Sequence, residues 1–282
     1  MIMKKIKEEI QEAGNFKPVL VTVLVGDNPA SKTYLKNKHA ACSEVGIESR
    51  NIELPTNTSQ TELETFLKGL NRDPLITGVL LQLPLPRGLS DASAISTISP
   101  TKDVDGLHPC NVGLLFQKSQ GIVPCTPKGV IVLLRYYRVS IAGSHVVIVN
   151  RSKLVGRPLS QLFLNNDATV TVCHSKTKDL PHVCREADIL ITGVGNRSRF
   201  IVGTDMVKEG AVVIDIGTSV VDGKLVGDVD FDSVCRVAGY VTPVPGGVGP
   251  MTISMLLYNT LLIACNLRGR SLKFDLETLQ AR

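Results

Sequence analysis

A lysine sits on the apolar side of a helix near the start of this chain. Residues 31–45 read SKTYLKNKHAACSEV. At about 100° per residue, Tyr34, Lys38, Ala41 and Val45 share one stripe, with Leu35 and Cys42 beside it. Lys32 and Lys36 fall on the opposite face. Lys38 therefore points toward a core or a cleft, one turn from the Tyr34 hydroxyl. Desolvation lowers a lysine's pKa toward the range where it can accept and return a proton. A lysine whose stem lies on apolar surface with its head in water would give the same pattern, so its neighbours must decide.

Four segments offer groups that could act with it. Gln82 ends an apolar strand before Leu83-Pro84-Leu85-Pro86, delivering an amide to the strand's carboxyl end. Lys102-Asp103-Val104-Asp105-Gly106 sets two carboxylates in a turn, which is also what an Asx-turn looks like. Cys125-Thr126-Pro127 opens the second half of the chain. Residues 242–250, TPVPGGVGP, form a stiff and then flexible loop feeding a helix; Pro and Gly fix backbone conformations that other residues do not reach.

A second chemistry is suggested by residues 146–158, VVIVNRSKLVGRP, where a strand runs directly into a helix carrying Arg151, Ser152 and Gly156. A doubly wound fold seats a pyrophosphate at such a helix start. The GxGxxG spacing is not met: Asn150 stands where a first glycine is expected, and Gly156 comes one residue late. The next strand runs into Cys173, His174, Ser175, Lys176 and Thr177, with no carboxylate to hold ribose hydroxyls. Hydroxyl and basic groups there, with Arg151, suit a 2′-phosphate, so a bound dinucleotide would be NADP rather than NAD. Strands ending in Thr192-Gly193-Val194-Gly195 and Asp215-Ile216-Gly217-Thr218 leave room for a ligand.

The elements that must position these groups alternate between strand and helix. Strands are expected at 19–25 and 76–83, with helices at the N-terminus up to Gly14, at 31–45 and at 61–70. Beyond a boundary near 118–125, strands at 145–149, 169–173, 188–194 and 211–216 follow the spacing of a doubly wound sheet, with 226–229 and 240–242 as edges. A last helix runs from near Pro250 to Asn266. The expected class is α/β, two α/β domains flanking a cleft, the second a Rossmann-like doubly wound parallel sheet. The first domain would comprise residues 1–120 and 251–282, the second 121–250.

Composition narrows the classes. The 282 residues carry a formal charge of +5, spread along the chain, and only 4% aromatics with no Trp, which argues against nucleic-acid stacking platforms. Seven widely spaced cysteines without a CxxC fit a reducing compartment and no zinc site, so no metal is expected. The N-terminal helix lacks the apolar run of a signal peptide, and no apolar segment is expected to approach the length of a membrane span. The expected location is the cytoplasm.

Taken together and in order, SKTYLKNK, GVLLQLPLP, PTKDVDGLHPCNVG, RSKLVGRP and TPVPGGVGPMT closely resemble the bifunctional methylenetetrahydrofolate dehydrogenase/methenyltetrahydrofolate cyclohydrolase family. The resemblance spans nearly the whole chain. It implies a catalytic lysine at Lys38, a partner tyrosine at Tyr34, an orienting glutamine at Gln82 and a pterin-gripping aspartate at Asp105. Substrate contacts would come from Tyr34, Leu81, Gln82, Leu83 and Asp105, and from a loop of Pro245, Gly246, Gly247, Val248 and Gly249. NADP contacts fall on Asn150, Arg151, Ser152, Ser175 and Thr218. The resemblance also implies a folate substrate and a homodimer, with neither nucleic acid nor membrane as partner. It departs at Asn150, where the family's pattern has glycine. Two other readings stay open from the residues alone: another two-domain NAD(P) oxidoreductase acting on a small acid, and a non-enzymatic dinucleotide-sensing module.

Overall fold

The computed structural model describes residues 1–14 and 17–276, without the side chains of residues 29–34. The chain folds into two compact units, one of Met1–Cys125 with Ile253–Asp275, the other built on Thr126–Thr252.

The first unit begins with α1 (Ile2–Glu12), β1 (Val19–Val25), α2 (Pro29–Val45), β2 (Glu48–Leu54), α3 (Gln60–Arg72) and β3 (Gly78–Leu81). Its sheet runs β2-β1-β3, all parallel. The central strand β1 is buried along all seven residues, as the apolar run VLVTVLV dictates for a strand covered on both faces. The edge strand β2 is half-exposed and reads ESRNIEL, a polar composition that blunts a sheet edge. Helix α3 starts at a capping box, with Ser59 Oγ accepting from the Glu62 N–H and Glu62 from the Ser59 N–H, and buries Leu63, Leu67 and Leu70. The expected strand at 76–83 is shorter. Ile76 is buried outside the ladder, and the chain leaves the sheet after Leu81, ahead of Pro84. Helices α4 (Asp91–Thr97) and α5 (Pro109–Phe116) follow, and α6 (Cys125–Tyr136) opens the second unit.

The second unit contains β4 (His145–Val149), α7 (Gly156–Asn165), β5 (Thr169–Cys173), α8 (Leu180–Arg185), β6 (Ile189–Thr192), β7 (Val212–Asp215), β8 (Ser219–Val221), β9 (Lys224–Val226), α9 (Phe231–Val234) and β10 (Tyr240–Val241). Its five-stranded sheet is parallel throughout, in the order β10-β7-β6-β4-β5. The chain goes from β4 outward to β5, then returns to place β6 on the other side of β4. The β4–β6 pair is therefore the topological switch point, the place where this architecture binds ligands. Alternation along β4 feeds two cores. Val146 and Ile148 pack with Leu134, Leu159 and Phe163 on one face, and Val147 and Val149 with Cys184, Leu190 and Val213 on the other.

Two expectations need correction. Residues 226–229 do not form a sheet edge: Val226 belongs to an antiparallel hairpin of β8 and β9, and Val229 makes only an isolated bridge to Val202. The last helix, α10 (Val248–Asn266), is long and apolar enough to cross a membrane by length and composition. More than half of it is buried, however, and its Asn259 and Thr260 are fully buried and hydrogen-bonded, as in the core helix of a globular fold.

Candidate active site

Helix α2 buries Leu35, Lys38, Cys42 and Val45 and exposes Lys36, the division read from the sequence. Lys38 is only 7% exposed. Its Nζ donates to Gln82 Oε1 at 3.2 Å, while Gln82 Nε2 donates to the Leu83 carbonyl at 2.9 Å. That second bond fixes which end of the amide faces the lysine. Gln82 is delivered by the sheet: its N–H donates to the Val23 carbonyl of the central strand at 2.9 Å. Leu81 is buried in the ladder, and Leu83 is half-buried beyond it.

The two carboxylates of the DVDG turn have separate jobs. Residues 102–105 run beside β3, with Val79 bridged in parallel to Asp103 and the Val79 N–H bonded to the Lys102 carbonyl at 2.7 Å. The chain turns directly after Asp103, with the Gly106 N–H bonded to the Asp103 carbonyl, so Asp105 sits in the turn that follows the bridge. A Cβ on Gly78 would lie 2.2 Å from Val104 Cγ1, so glycine is required for this close approach. Asp103 is buried and used up internally, its Oδ2 accepting from the His108 N–H at 2.8 Å and from Asn111 Nδ2 at 2.9 Å. Asp105 faces Lys38.

The electrostatics follow from burial. Desolvation holds the Lys38 ammonium below the ordinary lysine pKa, opposed by the nearby Asp105, Cys125 and Cys42. Burial pushes the Asp105 carboxyl up, opposed mainly by Lys38. Burial also pushes the Cys42 thiol up to about 11. Behind them Asn259, which the sequence reading passed over, is fully buried on α10. It donates to the Val104 and Val123 carbonyls, each at 2.9 Å, and so braces the backbone flanking Asp105. Tyr34 lies in α2, but its side chain is outside the described residues.

In the second unit, the carboxyl ends of β4, β6 and β7 converge. Asn150, half-buried after β4, accepts at Oδ1 from the Ser152 N–H at 2.7 Å and the Gly156 N–H at 3.1 Å; its Nδ2 donates to the Gly193 carbonyl. Arg151, Ser152 and Ser175 are exposed. The β4–β5 ladder ends with Val149 opposite Cys173, so the segments carrying Arg151 and Ser175 leave the sheet from the same end of neighbouring strands. Thr218 is exposed, and its backbone passes close to Gly195.

A buried carboxylate pair shapes these loops, and no local sequence signal marked it. Asp228 is completely buried and accepts from Thr192 Oγ1 at 2.9 Å, the Val194 N–H at 2.6 Å and the Gly195 N–H at 2.9 Å. Asp215 accepts from the Gly217 and Val229 N–H groups at 2.9 and 2.8 Å. Burial pushes the Asp215 carboxyl up, and the nearby Asp228 adds to the shift. A Cβ on Gly217 would fall 2.2 Å from the Asp228 carboxyl carbon, so the glycine makes room for the acid. The ends of β6 and β7 are thus held from below, which leaves their outer faces for a ligand. Basic and hydroxyl groups at the end of β5, with no carboxylate among residues 173–178, fit a dinucleotide carrying a 2′-phosphate.

The loop before α10 is shaped by its glycines. Gly246 has φ of +107°, and a Cβ on Gly247 would meet the Pro243 carbonyl oxygen at 2.5 Å. Pro245, Gly246 and Gly249 are exposed, Gly247 is half-buried, and Val248 is buried in the second unit's core. Among the described residues, no cluster of three or more His, Cys, Asp or Glu side chains could hold a metal ion.

Comparison with known proteins accounts for both halves. Residues 1–105 match the family model of the tetrahydrofolate dehydrogenase/cyclohydrolase catalytic domain, and residues 124–268 that of its NAD(P)-binding domain. The bifunctional protein FolD of Nitrosopumilus maritimus is 50% identical over 262 residues, covering 93% of this chain and 91% of its own. The crystal structure of the FolD methylenetetrahydrofolate dehydrogenase/cyclohydrolase from Campylobacter jejuni superposes with a TM-score of 0.91 at 46% identity, covering 94% of this chain and 95% of that one. The Trypanosoma brucei enzyme, solved with NADP cofactor and inhibitor, gives 0.89 at 39% identity, covering 96% and 95%. With matches of this identity over nearly its whole length, and with both family models accounted for, the chain belongs to the tetrahydrofolate dehydrogenase/cyclohydrolase family.

Proposed function

We propose that this protein oxidises 5,10-methylenetetrahydrofolate with NADP and hydrolyses the resulting 5,10-methenyl cation to 10-formyltetrahydrofolate, two steps of one-carbon metabolism. The observation that carries the reading is the buried Lys38, held by the Gln82 amide with Asp105 beside it. Few structural roles repay the burial of a lysine, whereas a proton-transfer role requires it.

The bound dinucleotide supplies the hydride acceptor of the oxidation; the second unit would hold it through Arg151, Ser152, Ser175 and Thr218, with Asn150 beneath the turn. The hydrolysis falls to the first unit. Neutral Lys38 takes a proton from a water molecule as the oxygen adds to the cationic C=N carbon. The resulting ammonium returns a proton to the ring nitrogen as the second C–N bond breaks, leaving the formyl group on the other nitrogen and releasing one proton overall. The depressed pKa keeps the neutral amine accessible, and Gln82 keeps it aimed. Asp105 accepts paired hydrogen bonds from the guanidine-like edge of the pterin, a charge-assisted contact. The loop Pro245–Gly249 supplies further substrate contacts. We further propose a homodimer and, from seven cysteines without a disulfide, a cytoplasmic location.

One spectrophotometric experiment tests the reading. Methylenetetrahydrofolate with NADP should give reduced cofactor, and methenyltetrahydrofolate alone should lose its absorbance faster than in buffer. Reduction of NADP without accelerated hydrolysis removes the second activity; neither signal removes the proposal.

A further inference from the structure

Asn259 ties three segments of the first unit together. It lies on α10, fully buried, and its Nδ2 donates to the Val104 and Val123 carbonyls, each at 2.9 Å, with Cys125 Sγ at 3.5 Å. An amide nitrogen carries two hydrogens, and the two carbonyls take both. The Val104 carbonyl also accepts from the Cys125 thiol at 3.4 Å. A carbonyl oxygen has two lone pairs, so this one is engaged from two sides, by α10 and by the start of α6.

That oxygen belongs to the peptide group joining Val104 to Asp105. The group is planar, so holding the oxygen also sets the nitrogen and Cα of Asp105. The chain is held again just beyond. Gly106 has φ of +68°, and a Cβ on it would lie 2.6 Å from the Ile122 carbonyl oxygen and 2.7 Å from the Pro124 nitrogen. The turn therefore rests on segment 122–124, whose Val123 carbonyl is the second acceptor of Asn259. Asp105 projects from backbone fixed on both sides, and Asn259 holds one side directly and the other through its support. Resting on the reading of the first unit as a folate site, we infer that Asn259 is a positioning residue for substrate binding, which aims the Asp105 carboxylate at the guanidine-like edge of the pterin by holding the peptide group before it. Paired hydrogen bonds to a planar edge need both carboxylate oxygens near one plane, so a small rotation of that peptide group loses one of the two. Proton transfer at Lys38 does not depend on the pair, so the loss falls on binding.

The test is steady-state kinetics of both reactions on the full chain, methenyltetrahydrofolate hydrolysis and methylenetetrahydrofolate oxidation with NADP. Wild type is compared with Asn259→Ser, Asn259→Leu and Asp105→Asn, and with Asn259→Ser in the Asp105→Asn background. Circular dichroism establishes that each variant is folded. Serine keeps a small polar group and leucine keeps the volume, so one replacement guards against the failure of the other. Both Asn259 variants should raise the KM for the folate about tenfold in each reaction, the scale of one lost charge-assisted hydrogen bond, with kcat held within about threefold and the KM for NADP unchanged. In the Asp105→Asn background the second substitution should change the folate KM by less than about twofold. A loss confined to kcat or to stability in urea makes Asn259 merely structural and overturns the inference. So does an equal rise in the KM for NADP, an additive loss in the double variant, or the failure of both Asn259 variants to fold. Wild-type protein with neither activity overturns the functional reading, and this inference with it; active wild type whose Asn259 variants keep their folate KM overturns the inference alone.

Discussion

The Nζ of Lys38 donates to Gln82 Oε1 at 3.2 Å, and the same glutamine spends its Nε2 on the Leu83 carbonyl. The lysine therefore meets a neutral acceptor, which holds the ammonium in place without adding a charge to stabilise it. Gln82→Glu changes that single property. A carboxylate at hydrogen-bond distance raises the pKa of Lys38 and shifts the pH profile of methenyl hydrolysis upward by about one unit. A profile that stays in place would remove Gln82 from the tuning of this amine.

Lys38→Met tests the proton carrier itself. Hydrolysis should fall by at least about a hundredfold, the usual share of a general acid/base. The fold should persist, because a desolvated charge is exchanged for an apolar chain of similar length. The pH dependence of stability should change as well. A lysine whose folded pKa lies below the ordinary lysine value of 10.5 binds its proton more readily in the unfolded chain. Wild-type stability therefore gains as pH rises from the folded value toward 10.5, and the Met variant lacks that gain. Thermal melts across that range, together with hydrolysis rates, check both.

Asp105 is held above its ordinary value of 3.8 by burial. Its carboxyl is thus protonated in acid where an exposed aspartate would still be charged, and a neutral carboxyl cannot pair with a guanidine-like edge. The KM for the folate substrate should climb as pH falls toward that raised value, starting above the usual carboxylate range. Asp105→Asn should raise KM by about tenfold or more at neutral pH, the scale of a charge-assisted hydrogen bond, and flatten the acid-side climb. For stability the sign is opposite. The raised pKa contributes stability that is complete below 3.8 and is lost as pH rises through the folded value.

Asp228 supports the loops after β6 and β7. Asp228→Ala leaves the fully buried Thr192 hydroxyl, and the Val194 and Gly195 N–H groups nearer the surface, without their acceptor, at a cost of about 3 kcal/mol in urea unfolding. Dinucleotide affinity should fall with it, since these loops carry the strand ends at the switch point. Unchanged affinity in a folded variant would separate the carboxylate pair from the cofactor site. Asp215, whose pKa is raised by burial and by Asp228, adds a pH signature. Its contribution to stability is complete below 3.8 and is lost as pH rises through its folded value, and removal of Asp228 weakens that dependence.

Much of this was legible in the residues. Lys38 announced itself because a 3.6-residue period sets a charge among Leu35, Cys42 and Val45, and those are the residues that are buried with it. Gln82 was legible because an apolar run ends there. The DVDG turn was visible as a pair of acids, but only their distant partners separate Asp103, spent on His108 and Asn111, from Asp105, which lies near Lys38. Strand β2 escaped because an edge strand with one neighbour carries Glu48, Arg50, Asn51 and Glu53 and shows no apolar alternation. The β8–β9 hairpin did leave a signal, the Asp222-Gly223 pair with both residues at positive φ. Asp228 and Asn259 left none: a buried polar residue is recognisable only once its distant partners are in place.

The lock formed by Asn150, Gly156 and Gly193 bears on how such a site can change over time. With the asparagine present, a methyl group at either glycine meets its carbonyl or its amide at 3.1 Å or less. A side chain at position 193 presses on the Asn150 amide, and shortening residue 150 relieves that contact, so these two positions are coupled in substitution. Position 156 stays closed by the backbone carbonyl of residue 150 whatever side chain stands there.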